Sequence, residues 1–138
     1  MRLDFVDTEA ESVEDSRLIR LYDFSCDEIA LIHRSVLEVA NGLLNEIAVH
    51  KLPYVEPVGI KLTLKLATKD FGICSNVEMT EFECRLTADT WVSVAGHMEP
   101  FLTSCDPNTF QWLDETFDWT EDTSDIGFLF SPHPEGAW

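Results

Sequence analysis

Residues 17–43 read RLIRLYDFSCDEIALIHRSVLEVANGL and contain the pattern that decides the fold. The first seven of them are typical of a strand. Ser25 and Glu28 then match a capping box, in which the serine hydroxyl accepts a first-turn amide and the glutamate reaches back to the serine amide. A helix should follow and end at Asn41-Gly42 in a left-handed turn. Its core-facing residues recur every three or four positions and are Ile29, Ile32, Val36, Val39, Ala40 and Leu43.

The chain beyond this helix shows the period of two that is typical of strands. A strand is predicted near Glu46–Leu52, and Gly59–Ala67 alternates strictly between apolar and polar residues. Val77–Leu86 alternates in the same way, so we expect it to pair with Gly59–Ala67 as an antiparallel neighbour. Exposed ion pairs across the two strands would then help to set their register. These pairs would join Lys61 and Lys65 to Glu81 and Glu83.

The order of elements then recurs. Leu86-Thr87-Ala88-Asp89 ends a strand and opens a helix in the way that Phe24-Ser25-Cys26-Asp27 does. The apolar positions of the two helices coincide at the same offset, with Ile29, Ile32, Val36 and Val39 matched by Trp91, Val94, Met98 and Phe101. This pattern predicts two units that each contain a strand, a helix and two strands. A duplication would explain the repeat, although any α+β domain built from capped helices and hairpins would look similar.

The remaining elements complete an α+β fold. Pro100 lacks an amide donor, so the second helix should end or kink near Glu99. Strands are predicted at Thr109–Leu113 and Asp125–Ser131. We therefore expect the order β-α-β-β-β-α-β-β, with one or more antiparallel sheets and two helices packed on one face.

The domain organisation follows from length and charge. Positions 1–16 are predicted to be an acidic and mobile arm, unless Leu3, Phe5 and Val6 dock as a short strand. Positions 17–138 should form a single α+β domain, because a chain of this length usually buries one core. If the repeat is real, the half-units are 17–76 and 77–138.

Acidic side chains outnumber basic ones, and the two are distributed unevenly along the chain. The 138 residues include 26 acidic and 9 basic side chains, for a net charge of −17, and no lysine or arginine occurs from Leu86 to Trp138. Such a surface repels nucleic acid and anionic lipid and attracts a basic protein. We therefore expect a basic protein partner, no direct nucleic-acid binding and no membrane association. The opening segment has no apolar leader region, and the four cysteines form no C-x-x-C pair, which favours reduced thiols in a cytoplasmic protein.

The acidic segment at positions 113–125, LDETFDWTEDTSD, is the candidate binding site. Carboxylates pair with Arg and Lys, and an exposed aromatic ring supplies an anchor or a cation-binding face. A solvated acidic connection is the alternative. The predicted partner-binding residues are Asp114, Glu115, Phe117, Asp118, Trp119, Glu121, Asp122 and Asp125.

Other chemistries find little support in the sequence. Asp118, Thr120 and Asp122 occupy the first positions of a calcium loop, but Thr123 stands where that loop requires glycine and Leu129 where it requires glutamate. His33, His50, His97 and His133 have no zinc-site spacing. Cys26 is the best candidate for a nucleophile, because a first-turn position in a helix favours the thiolate. Its acidic neighbours oppose the thiolate, however, and a buried structural role is the simpler interpretation. We therefore predict no catalytic residue, no metal and no cofactor.

Three functional hypotheses follow. The first is a non-catalytic acidic interaction domain, such as an immunity or inhibitor protein against a nuclease-like toxin, or a DNA mimic. The second is a small-molecule or metal-dependent enzyme with a pocket between the two units, formed by His33, His50 or Cys26. The third is an acidic cytoplasmic protein adapted to high salt. Self-association is a further option. If several large aromatic side chains are exposed, they could form an apolar contact between two copies of the chain. These residues are Tyr54, Trp112, Trp119 and Trp138.

Overall fold

The computed structural model describes residues 1–7 and 17–136. Within them the chain forms strands and two helices, joined by turns that include short 3₁₀ helices at Val49–Lys51, Glu99–Leu102 and Leu113–Thr116. The helices are α1 (Cys26–Ala40) and α2 (Ala88–Met98). The strands are β1 (Arg2–Asp7), β2 (Arg17–Tyr22), β3 (Glu46–Ala48), β4 (Glu56–Pro57), β5 (Lys61–Leu66), β6 (Gly72–Ser75), β7 (Glu81–Leu86), β8 (Gln111–Trp112) and β9 (Gly127–Ser131).

The described strands form two mixed sheets. The first has five strands in the order β4-β1-β2-β9-β8, and the second has four strands in the order β3-β5-β7-β6. The two helices pack against each other, and their apolar faces share one buried core with both sheets. The α+β class is therefore confirmed. The expectation of purely antiparallel sheets is wrong, because each sheet contains a parallel pair.

The parallel pair of the second sheet shows why the expectation failed. β5 and β7 are neighbours as predicted, but they run parallel, with Lys61 opposite Glu81. β6 lies between them in sequence and pairs antiparallel with the far side of β7, so β7 returns in the direction of β5. Alternation of apolar and polar residues is the same in either orientation, so it predicted the neighbours and not their direction. The expected ion pairs are present, at 3.6 Å for Lys61–Glu81 and 2.9 Å for Lys65–Glu83.

The two sheets repeat the same pairing pattern. β1 pairs antiparallel with β2, β2 pairs parallel with β9, and β9 pairs antiparallel with β8. In the same manner β6 pairs antiparallel with β7, β7 parallel with β5, and β5 antiparallel with β3. Apart from the two-residue β4, which adds to the edge of the first sheet, each half of the chain therefore runs strand, strand, helix, strand, strand. Each sheet combines the two strands before the helix of one half with two strands after the helix of the other. The predicted strand, helix, strand, strand order is present in each half. Two strands were not predicted: β6, which precedes this order in the second half, and the two-residue β4, which lies within it in the first.

The capping box at α1 is confirmed. The Ser25 hydroxyl accepts the Glu28 N–H at 3.3 Å, and the Glu28 carboxylate accepts the Ser25 N–H at 2.9 Å. Gly42 has a φ of +77° and ends the helix. Five of the six predicted core residues are buried, but Leu43 is 75% exposed. It follows Gly42, which turns the chain away from the helix axis, so the helical spacing no longer applies to it.

The second helix ends before Pro100, as predicted. The Thr87 hydroxyl caps its first turn, and α2 ends at Met98. A 3₁₀ turn containing Pro100 follows, in which the missing amide is tolerated near the start of the turn. The predicted core positions of this helix and its extension are all buried. They are Trp91, Val94, Met98 and Phe101.

The N-terminal segment falls partly within the described residues. Arg2–Asp7 pairs with β2 over its whole length, as the docking alternative proposed. Positions 8–16 of the predicted mobile arm, and Trp138, lie outside the described residues. In the described parts of the chain, neither helix has the length and apolar character needed to cross a membrane.

Candidate protein-binding surface

Asp70, a residue that sequence reasoning missed, anchors the acidic segment to the body of the protein. It follows β5 and is only 3% exposed. Its carboxylate accepts the Thr87 N–H at 2.8 Å, the Thr90 hydroxyl at 2.6 Å and the Asp118 N–H at 2.8 Å. Burial alone would raise the pKa of Asp70, but these donors outweigh it and hold that pKa below its ordinary value. Asp70 is thus a buried carboxylate that joins the start of α2 to the acidic segment.

Further hydrogen bonds hold the segment against the same loop. The Thr123 hydroxyl donates to the Asp70 carbonyl at 2.8 Å, and the Ser124 N–H donates to the Phe71 carbonyl at 2.8 Å. Within the segment, the Thr120 N–H donates to the Thr123 hydroxyl at 3.0 Å, and the Thr123 N–H donates to the Thr120 carbonyl at 3.1 Å. The backbone of the segment is therefore attached at several points, although it contains no helix or strand between the 3₁₀ turn and β9.

Two of the predicted binding residues make internal contacts. The Asp114 carboxylate accepts the Phe128 N–H at 3.0 Å, which ties the 3₁₀ turn to β9. Phe117 is 5% exposed and belongs to the core. Phe117 is buried and Asp114 is partly buried, and both side chains support the segment through internal contacts.

Trp119 lies on the surface of the segment and is 47% exposed. Its indole N–H donates to the Asp114 carbonyl at 3.1 Å. Its ring lies beside that of Phe117, with centroids 5.7 Å apart and planes inclined by 35°. A tryptophan held at two points and still half exposed presents a rigid apolar surface, which costs little side-chain entropy to bind.

The other predicted residues place carboxylates around Trp119. Glu115, Asp118, Glu121, Asp122 and Asp125 are all exposed. Asp122 forms an ion pair with Lys69 at 2.7 Å, and Asp125 forms one with Arg17 at 2.7 Å. Within residues 1–7 and 17–136, the other three have no lysine or arginine within ion-pair distance. We call Glu115, Asp118, Trp119 and Glu121 the acidic surface.

The residues of the enzymatic hypothesis are not brought together. A cleft of about 370 Å³ is lined by His50 and by residues of both halves of the chain. His33 and Cys26 do not line it. The Nε2 atom of His33 is buried without a hydrogen-bond partner in the described structure, and Cys26 lies beside Cys105. No three His, Cys, Asp or Glu side chains of the described ranges are grouped so that they could hold a metal ion.

The aromatic residues named for self-association differ in exposure. Trp119 is exposed, whereas Tyr54 and Trp112 are half-buried. Tyr54 lies against the core, and burial followed by the negative charge of Glu28 raises its pKa above the ordinary tyrosine value. Trp119 is thus the one of these three whose ring is open to a partner.

Comparisons with known proteins found no match: no family model, no curated protein and no solved structure resembles this chain at a significant level.

Proposed function

We propose that this protein is a non-catalytic interaction domain that binds a basic protein through the acidic surface. The observation that carries the proposal is the rigid, half-exposed Trp119, held by Phe117 and the Asp114 carbonyl among exposed carboxylates. Trp is among the side chains that dominate the binding energy of protein contacts, and a polar rim usually surrounds such an anchor.

Electrostatics supports the same proposal. The net charge of −17 attracts a cationic surface over several ångströms, and the last 53 positions offer no cation to oppose it. Since Glu115, Asp118 and Glu121 have no basic partner in the described residues, an arriving Arg or Lys would not have to displace an internal ion pair. A partner with a nucleic-acid-binding or nuclease-like surface has the required charge, which places an immunity-type inhibitor or a DNA mimic within this proposal.

The test is affinity capture at low salt. The immobilised protein would be exposed to a lysate of its source cells, and bound proteins would be eluted with rising salt and identified. The identified partner would then be purified, and its association rate measured against the wild type and the variant Glu115→Gln/Asp118→Asn/Glu121→Gln. We expect association to slow by about tenfold in the variant at low salt, because electrostatic steering acts mainly on the association rate.

A matched control removes the same charge elsewhere. Glu46, Glu78 and Glu99 are exposed and lie outside the acidic segment, so the triple Gln variant has the same net charge as the test variant. It should associate at close to the wild-type rate. Equal slowing in both variants would show that net charge alone acts, and no slowing in either would show that the acidic surface is not the binding site.

A further inference from the structure

Two cysteines that are distant in sequence meet at the ends of the two helices. The Sγ atoms of Cys26 and Cys105 are 2.9 Å apart. Cys26 is the first residue of α1, and Cys105 follows the 3₁₀ turn that extends α2. A disulfide bond is about 2.0 Å long, so a shift of roughly 1 Å would bring the two sulfurs to bonding distance.

The surroundings of the pair permit reaction with a small oxidant. Both cysteines are half-buried, and neither is enclosed in the core as Cys84 is. The Cys105 thiol donates to the Phe101 carbonyl at 3.1 Å. Burial, followed by the adjacent Cys26 thiol, raises the pKa of Cys105 to about 12. Cys105 is therefore a poor first nucleophile, so Cys26 is the cysteine that attacks first.

We propose that Cys26 and Cys105 form a reversible intramolecular disulfide, with a small-molecule disulfide such as oxidised glutathione as the oxidant. This site is independent of the acidic surface. It would make the joint between the two helices sensitive to the thiol–disulfide balance of the surroundings.

The reaction has two exchange steps. The Cys26 thiolate attacks one sulfur of oxidised glutathione, the glutathione S–S bond breaks, and the leaving thiolate takes up the proton that Cys26 has lost. Cys105 then loses its proton and attacks the Cys26 sulfur of the mixed disulfide. The Cys26–glutathione bond breaks, and the second glutathione leaves as a thiolate that takes up the Cys105 proton. Two protein thiols are oxidised to one disulfide, and one glutathione disulfide is reduced to two thiols.

The crosslink would act on stability. It joins the N-terminal end of α1 to the chain that leaves α2, and it closes a long loop of the polypeptide. A closed loop has fewer conformations in the unfolded state, so the oxidised protein should resist heat better than the reduced one. We expect the melting temperature to rise by about 5–10 °C on oxidation.

The experiment compares the full chain in reduced and oxidised glutathione buffers below its melting temperature. In the wild type, the number of titratable thiols in unfolded, acid-quenched protein should fall from four to two, and the intact mass should fall by two hydrogens. Peptide mapping should locate the bond between Cys26 and Cys105, and dithiothreitol should reverse it. The variant Cys105→Ser should instead retain one glutathione on Cys26.

Cys74→Ser is the matched control, because Cys74 is also half-buried but lies on β6 with no cysteine sulfur at bonding range among the described residues. This variant should form the disulfide as the wild type does, and Cys26→Ser should not. The proposal would be overturned if all four thiols of the wild type stayed titratable in oxidised glutathione. A bond that mapped to Cys74 or Cys84, or a wild type that stopped at the mixed disulfide, would overturn it equally.

Discussion

The buried carboxylate of Asp70 accepts the backbone N–H of Asp118 at 2.8 Å, so an exposed part of the acidic segment depends on a buried residue. The same carboxylate also binds the start of α2 through Thr87 and Thr90. A carboxylate that accepts several hydrogen bonds in a buried position cannot be removed without leaving donors unsatisfied. Stability and the geometry of the candidate surface are therefore coupled at this residue.

We expect Asp70→Ala to destabilise the protein by about 3 kcal/mol, because it leaves one buried and two partly buried donors without an acceptor. The measurement is the free energy of unfolding from urea titration. Amide exchange at Asp118 and Thr123 should also accelerate relative to the core strands, since the segment loses its anchor. The exposed Glu78→Ala serves as the control and should change stability by under about 0.5 kcal/mol. Equal effects of the two substitutions would contradict the anchoring role.

The pH dependence of stability should reveal the charge of Asp70. Hydrogen bonds to the carboxylate lower its folded pKa below the ordinary value of 3.8. The unfolded state therefore binds a proton at a higher pH than the folded state does, so ionised Asp70 stabilises the fold at neutral pH. This contribution is complete well above pH 3.8 and disappears as the pH falls through the lowered folded pKa.

The measurement compares the wild type with Asp70→Asn across this range. The difference in their unfolding free energies should be constant from neutral pH to about pH 5 and should shrink as the pH falls below the aspartate range. Other carboxylates with lowered pKa values, such as Glu83, are present in both proteins and cancel in the difference. A difference that stays unchanged under acid conditions would show that Asp70 is not the titrating group.

The anchor illustrates what the sequence does not reveal. Asp70 belongs to no motif, and its donors come from positions 17 to 48 residues away. Its capacity to accept hydrogen bonds is visible in the sequence, but the partners are brought to it only by the folded sheet and helix. In contrast, Trp119 and its acidic neighbours were selected from charge and local composition, which are properties of the segment itself, and the structure places them on the surface. Asp114 and Phe117 lie in the same segment, yet the structure places their contacts with β9 and the core, which the segment's composition does not indicate.

The fold shows the same difference between local features, which the sequence reveals, and long-range contacts, which it does not. The capping box at Ser25 and the break at Pro100 depend on residues three or four positions apart, and both were predicted. β6 was not predicted, because Gly72–Ser75 is short and shows little alternation. Its omission hid the turn that makes β5 and β7 parallel. The sequence predicted local structure well and pairing direction poorly, since direction depends on every strand between two partners.

Phe117 and Trp119 should respond differently to truncation, although their rings are in contact. Phe117→Ala removes a core side chain and should cost about 3–4 kcal/mol of unfolding free energy. Trp119→Ala removes a half-exposed ring and one hydrogen bond, so we expect a cost of about 1 kcal/mol. Urea unfolding of the two variants tests this expectation. If Trp119→Ala were as damaging as Phe117→Ala, its ring would be a structural element and the acidic surface would lose its anchor.

The exchange of strands between the two halves predicts that neither half is stable alone. A fragment of residues 1–71 contains β1 and β2 without β9, and β5 without β7, so both central parallel pairings are lost. A fragment of residues 72–138 has the complementary deficit. Each should therefore lack cooperative unfolding and near-ultraviolet circular dichroism when purified separately. An equimolar mixture should regain both signals, because the missing neighbours of each sheet lie on the other fragment.

A control split at 76–77 separates β6 from β7 and breaks an additional pairing, so its fragments should reassemble less stably. Independent folding of either 1–71 or 72–138 would show that the interlocked sheets are not what holds the halves together.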